Sequence, residues 1–345
     1  MDKVAVLLMN IGTPEKSDVE SVKKYLSEFL TDKDVIDAPL IVREILFKRL
    51  IVPLRAKKSA VKYQKVWMPE GSPLRFYSEQ FTESLQNELG EQYFVVLGMR
   101  YGTPSIEQAL NQIQKLEIKK VILAPLYPQY AVATTGSSLN KVSSVAQKNK
   151  IVLDYKELSE FYDHPEYIKS CLQDLKNFPD KYDHLLFSFH GLPVSQVKKT
   201  SGCYADSQCC ETAKSQNRRC YKAQSITTAK SLAEGLGLTN DQWSVSFQSR
   251  LGPVKWIEPY TDHHLKGLAE SGVKTLAVYA PSFVVDGLET LEEIAMEGKE
   301  TFLHSGGKSF HYIPCLNVSK HWVQGFSRIL LDFQSTVGTA RPSST

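Results

Sequence analysis

Six apolar runs of five to seven residues recur along the chain: Val4–Met9, Tyr93–Leu97, Lys120–Ala124, His184–Phe189, Trp243–Phe247 and Lys274–Ala280. Each is rich in Val, Ile, Leu or aromatic residues and soon meets a Gly or Pro, which reads as a buried strand. Between them lie stretches with helical periodicity, including Val19–Leu30, Glu79–Leu89, Ser105–Lys115 and Thr227–Gly235. Continuously apolar strands alternating with helices form parallel sheets covered on both faces. Functional groups in such sheets belong at the carboxyl ends of the strands.

The strand ends also repeat. Val4–Met9 runs into Asn10-Ile11-Gly12-Thr13-Pro14, and His184–Phe189 into His190-Gly191-Leu192-Pro193. Tyr93–Leu97 leads to Arg100-Tyr101-Gly102-Thr103-Pro104, and Trp243–Phe247 to Arg250-Leu251-Gly252-Pro253. The third pair ends in Ala124-Pro125 and Ala280-Pro281. Gly and Pro punctuate many α/β sheets, so one match carries nothing. Three in the same order point to two α/β halves of like topology. The division expected is 1–160 for the first half, 161–330 for the second, and a tail at 331–345.

With 42% hydrophobic and 23% charged residues, the chain is globular in composition, not collagenous or disordered. A net charge of +3 is too mild to call for nucleic acid as a partner. The apolar run at the N-terminus is too short to span a membrane and has no cleavage site after it. The expected compartment is therefore the reducing cytoplasm, where six cysteines do not read as disulfides. There is no Gly-x-Gly-x-x-Gly turn, Gly-Lys-Ser/Thr loop, His-Glu-x-x-His pair or Gly-x-Ser-x-Gly elbow, which disfavours nucleotide, protease and hydrolase chemistry.

Two segments carry reactive groups. In Ser188-Phe189-His190-Gly191-Leu192-Pro193 a histidine ends a buried strand and projects toward a crevice. Its imidazole could take a proton or bind a soft divalent metal; the alternative is a ring simply held by the backbone. In Pro281 to Ile294, Asp286, Glu289 and Glu293 are spaced i, i+3, i+7, on one face of an α-helix. The helix dipole alone could account for Asp286 and Glu289. A line of carboxylates could instead carry protons or a divalent cation inward, while Glu292 reads as a solvated neighbour.

These residues resemble the ferrochelatases, enzymes that insert ferrous iron into a porphyrin. The resemblance rests on Ser188–Pro193 together with Leu126-Tyr127-Pro128-Gln129-Tyr130, Thr134–Ser138, Gln248–Pro253 with Trp256, Gly71-Ser72-Pro73, Met99-Arg100-Tyr101 and Pro281–Leu291. It implies two similar Rossmann-like halves of the chelatase type with the active site in a cleft between them, and protohaem formation from protoporphyrin IX. It further implies that His190 is the essential histidine beside the porphyrin nitrogens and that Glu289 is its partner acid across the macrocycle, both meeting the substrate Fe²⁺. Asp286 and Glu293 would continue the proton or metal path. Ile11, Arg100, Tyr101, Ser137 and Trp256 fall in the matching segments as porphyrin contacts. Gly287 stands where the family often has His, so no role of that His transfers.

Cys203, Cys209, Cys210 and Cys220 form a Cys-x5-Cys-Cys-x9-Cys set. Four intracellular thiolates suggest zinc or an iron–sulfur cluster, and adjacent cysteines suit a [2Fe–2S] unit better than one tetrahedral ion; four free thiols remain the plain alternative. Some ferrochelatases are similar in binding such a cluster, through an internal segment in certain bacterial members. Cys171 and Cys315 stand apart and read as buried small apolar residues.

Val35–Leu54 is apolar but studded with Arg43, Glu44, Lys48 and Arg49, and is followed by Arg55, Lys57 and Lys58. Those charges exclude a spanning helix and suit rest on an anionic bilayer or a core helix with a basic edge. The resemblance to the family's cleft lip implies peripheral membrane attachment, and transient contacts with neighbouring haem-pathway enzymes. Competing functions are a chelatase acting on coproporphyrin III and a non-enzymatic porphyrin or haem carrier with an iron–sulfur sensor.

Overall fold

The computed structural model describes residues 3–36, 38–201, 210, 218–252 and 254–336. Among the described residues eight strands form two sheets: β1 (Val4–Gly12), β2 (Tyr93–Tyr101), β3 (Lys120–Pro125), β4 (Asp154–Glu157), β5 (His184–His190), β6 (Trp243–Gln248), β7 (Thr275–Tyr279) and β8 (Ser309–Ile313). Their orders are β2-β1-β3-β4 and β6-β5-β7-β8, the same topology twice, and every pairing is parallel. Helices flank both sheets. The duplicated α/β architecture read from the strand ends is therefore the architecture found.

β4 and β8 have no counterpart among the expected strands. β4 reads Asp-Tyr-Lys-Glu and is largely exposed, and both strands lie at a sheet edge. Both are only partly buried and interrupted by polar residues, so they lack the apolar run that marks the other six, β2 and β6 at the opposite edges included. In contrast β1 and β2 run past their apolar cores, because Asn10 still pairs with Met99 and Gly12 with Tyr101.

Helix starts follow local chemistry. Asp18 accepts a hydrogen bond from Ser21 N at 2.9 Å and begins Val19–Leu30. Ser105 and Gln108 form a reciprocal capping box at Ile106–Lys115. The helix expected at Glu79 begins at Pro73, where proline needs no donor. The helix expected at Thr227 begins at Tyr221 and runs to Leu236.

The halves share one apolar core. Phe81, from the Pro73–Leu89 helix, stacks on Trp322 of the last helix at 5.8 Å between ring centres, and Phe326, Phe161 and Tyr167 complete the cluster. Burying each such ring stabilises the fold by about 1.5–3 kcal/mol. The last helix spans Lys320–Thr336, so residues expected as the start of a tail are its final turns.

Candidate active site

His190 is the last residue of β5 and pairs with Gln248 at the end of β6. Its Nδ1 lies 2.6 Å from the Gly191 carbonyl oxygen. A carbonyl can only accept, so Nδ1 carries the proton and Nε2 keeps its lone pair. The His190 backbone N–H donates to Ser282 Oγ at 3.2 Å, and the Phe283 ring stands 6.3 Å from the imidazole. Gly191 is required: a Cβ there would sit 2.7 Å from the Gln248 carbonyl oxygen and 3.3 Å from Trp256. At the matching turn of the first half, a Cβ on Gly12 would collide with the Tyr101 carbonyl. One glycine at each first-strand end lets the neighbouring strand approach.

The Gln248 side chain joins β5 to the Glu289 main chain. Its Oε1 accepts from Ser188 Oγ at 2.8 Å and its Nε2 donates to the Glu289 main-chain carbonyl at 2.7 Å. Ser249 follows, with φ +68°, an uncommon conformation for a non-glycine residue. It aims two donors at Glu293: N to Oε1 at 2.7 Å and Oγ to Oε2 at 2.5 Å. Burial pushes the Glu293 carboxyl above its usual range, against those hydrogen bonds and the nearby His190, and Glu289 raises it further. His190, Glu289 and Glu293 thus act on one another electrostatically.

Glu289–Gly298 is wound as a π-helix, as are Arg43–Ile51 and Val132–Gly136, a rare form that is frequent at functional sites. The i, i+3, i+7 stripe expected of an α-helix is accordingly not the arrangement found. Asp286 precedes the helix, nearly fully buried, and its carboxylate accepts from Tyr312 OH at 2.5 Å, Thr290 Oγ1 at 2.8 Å and Asn317 Nδ2 at 2.7 Å. Glu292, expected to be solvated, is only 1% exposed and ion-paired to Lys62 at 2.8 Å and Lys65 at 3.0 Å. Those lysines come from the Val52–Val66 helix of the first half. A Cβ at Gly287 would lie 3.2 Å from Leu74 and 3.3 Å from Glu289 Oε2, so a larger residue would crowd that carboxylate.

The first half faces these groups with an aromatic cluster. Tyr25, Tyr63 and Tyr101 pack with half-buried Ile11 and with Leu251 and Leu288 of the second half. Burial, with the Glu289 charge added, raises the phenol pKa of both Tyr25 and Tyr63, so that charge acts on the cluster. Asp32, Tyr25 and Tyr63 were not singled out from sequence; no local pattern marks them. Asp32 organises three residues that were: it pairs with Arg100, accepts from Tyr101 OH at 2.7 Å and from Ser137 Oγ at 3.2 Å. Arg100 Nε also donates to Ser137 Oγ at 2.7 Å. Trp256 is buried beneath the His190 turn and donates Nε1–H to the Leu251 carbonyl at 3.0 Å.

Cys203 and Cys209 lie outside the described residues. Cys210 and Cys220 are both buried, and Cys220 is the N-cap of the Tyr221–Leu236 helix. Cys171 and Cys315 are buried as expected, and burial pushes the Cys171 thiol up to about 12. Among the described residues no group of three or more His, Cys, Asp or Glu could by itself hold a metal ion. None of their helices is long and apolar enough to cross a membrane. The Leu40–Val66 helical stretch nevertheless exposes large apolar residues, Ile41 at 72% and Leu54 at 67% among them.

Comparison with known proteins places these features in a family. The family described as Ferrochelatase matches residues 3–332. A ferrochelatase of Bdellovibrio bacteriovorus is 45% identical over 332 residues, 96% of this chain and 99% of that protein. One from Coxiella burnetii is 43% identical over 337 residues, covering 95% and 93%. One from Legionella pneumophila is 42% identical over 328 residues, covering 94% and 98%. Among solved structures, the sirohydrochlorin chelatase SirB from Bacillus subtilis subspecies spizizenii in complex with cobalt aligns with a TM-score of 0.54. It is 11% identical and covers 97% of both chains, a likeness of fold alone.

Proposed function

The chain belongs to the ferrochelatase family, and on that premise we propose that it inserts Fe²⁺ into protoporphyrin IX to form protohaem, the last step of haem biosynthesis. It is a porphyrin metal chelatase. The observation that carries the reading is the His190 imidazole, whose Nδ1 is committed to a carbonyl while Nε2 retains a lone pair. A free porphyrin carries two pyrrole N–H protons that leave as the metal enters. His190 Nε2 accepts one. Glu289 accepts the other and shares it with Glu293, whose raised pKa suits a proton acceptor working near neutral pH. Ile11, Tyr101 and the Tyr25–Tyr63 cluster supply the apolar wall that grips the macrocycle; bending it exposes the nitrogen lone pairs. Arg100 and Ser137 set that wall through Asp32, and Trp256 supports the His190 turn. Asp286 anchors the path rather than lining it.

The test is anaerobic Fe²⁺ with purified protein and either protoporphyrin or coproporphyrin, followed at the Soret band. Haem formation from protoporphyrin, lost in His190→Ala, is the expected result. Turnover of coproporphyrin III alone would reassign the substrate. Porphyrin binding without metallation would make the chain a carrier.

The cysteine set is read as ligating a [2Fe–2S] cluster through Cys203, Cys209, Cys210 and Cys220. Burial of Cys210 and Cys220 supports this, as does the helix N-terminus at Cys220, which favours a thiolate. Such a cluster would cross-link the segment after His190 and take no part in metal insertion. Acid-labile sulfide in anaerobically purified protein tests it; zinc in its place would refute it. The exposed apolar residues of Leu40–Leu54, with Lys48, Arg49, Lys57 and Lys58, are read as a surface resting on an anionic membrane. This gives a cytoplasmic, peripherally attached enzyme. Co-sedimentation with anionic vesicles, abolished by Ile41→Ser with Leu54→Ser, is the expected result.

A further inference from the structure

Asn317 has φ +46°, and its main-chain N–H, Oδ1 and Nδ2 all meet one segment. Its N–H donates to the Val284 carbonyl at 2.9 Å. Its Oδ1 accepts from the Asp286 N–H at 2.9 Å, and its Nδ2 donates to Asp286 Oδ2 at 2.7 Å. The side chain therefore grips Asp286 on main chain and carboxylate at once. Asparagine tolerates the left-handed backbone this requires better than most residues.

The grip extends to Glu289. Asp286 Oδ1 accepts from Thr290 Oγ1 at 2.8 Å, and that oxygen accepts in turn from the Gly287 N–H at 3.0 Å. Tyr312 OH, 2.5 Å from Asp286 Oδ1, closes the cage from β8. Glu289 sits between Gly287 and Thr290, and its own carbonyl is held by Gln248. None of these groups donates a hydrogen bond to its carboxylate, so they fix the main chain that carries it and leave the acid itself for chemistry.

We propose that Asn317, with Tyr312, is a positioning residue for Glu289, acting through Asp286. The proposal rests on Glu289 being the proton acceptor opposite His190. A residue in this role governs the chemical step more than porphyrin binding, because its hydrogen bonds go to Val284 and Asp286 and not to the aromatic wall.

The experiment compares Asn317→Ala, Asn317→Asp, Tyr312→Phe and Glu289→Gln for metallation rate and for porphyrin affinity by fluorescence quenching. Asn317→Ala should lower kcat about ten- to a hundredfold, with porphyrin affinity unchanged. Tyr312→Phe keeps the ring and should lower kcat several-fold, which leaves a reading if Asn317→Ala does not fold. Asn317→Asp supplies the sharper test. Two adjacent carboxyls cannot both ionise cheaply, and a protonated Asp can replace the amide donor to Asp286. Its activity should therefore recover as pH falls, a rise that wild type lacks and a simple packing defect would not produce. Wild-type kcat in Asn317→Ala and Tyr312→Phe, with Glu289→Gln inactive, overturns the positioning role and leaves the Glu289 assignment standing. Wild-type kcat in Glu289→Gln overturns that assignment instead.

Discussion

Glu292 and its two lysines respond asymmetrically to mutation. The carboxylate is 1% exposed, whereas the Lys62 and Lys65 side chains are 37% and 47% exposed. Lys62 also reaches Glu297 at 2.7 Å, and despite opposing burial these acids raise its pKa. Glu292→Gln removes the charge but leaves two ammonium groups that water already solvates. Its cost is that of partly exposed pairs, about 1 kcal/mol. Lys62→Met with Lys65→Met leaves an ionised carboxylate buried without a partner, at a cost of about 3–5 kcal/mol. Adding Glu292→Gln to the lysine pair should then recover most of that loss, because no charge is left stranded. The assay is urea unfolding of all four proteins as a double-mutant cycle, with metallation measured on each, since the pairs tie the Val52–Val66 helix to the Glu289–Gly298 helix. The reasoning fails if Glu292→Gln is more damaging than the lysine pair, or if the triple variant is no more stable than that pair.

Three further outcomes follow from individual contacts. Gly191→Ala puts a Cβ 2.7 Å from the Gln248 carbonyl and should cost about 1–3 kcal/mol while displacing His190; an unchanged melting temperature and haem yield would refute the crowding. Glu293 ionises later in the folded protein than at its ordinary value of 4.5, because it is buried, so stability falls as pH rises from that value through the folded pKa. Glu293→Gln can keep both Ser249 contacts, and melting curves should show it losing this decline and exceeding wild type at about pH 8. His184 and His264 each place Nε2 2.8 Å from Ser244 Oγ, and burial lowers both pKa values below the ordinary 6.5. The unfolded chain then protonates first, so stability is full above that value and is lost as pH falls through the lowered values. His264→Gln should shrink the drop in melting temperature between about pH 7 and about pH 5; an unaltered drop would count against these histidines.

The sequence by itself determined six of the eight described strands, their duplicated order and His190 at a strand end. A strand buried on both faces must be apolar throughout, and that requirement is written in neighbouring positions. Caps were equally local, as at Asp18 and Ser105. β4 and β8 were hidden because both are only partly buried, so polar residues interrupt them and no apolar run marks them. The site was legible only as residue types. That Glu292 is buried depends on Lys62, 230 positions away, and that the Glu293 carboxyl is held by two donors depends on Ser249, 44 positions away. Asp286 gave the appearance of a link in an acidic line, yet Tyr312, Thr290 and Asn317 saturate its carboxylate. Helical periodicity fixes which face a side chain occupies within its own segment. Which partners meet that face, and so whether an acid is a solvated charge, a latch or a proton acceptor, is set by the packing of distant segments in the tertiary structure.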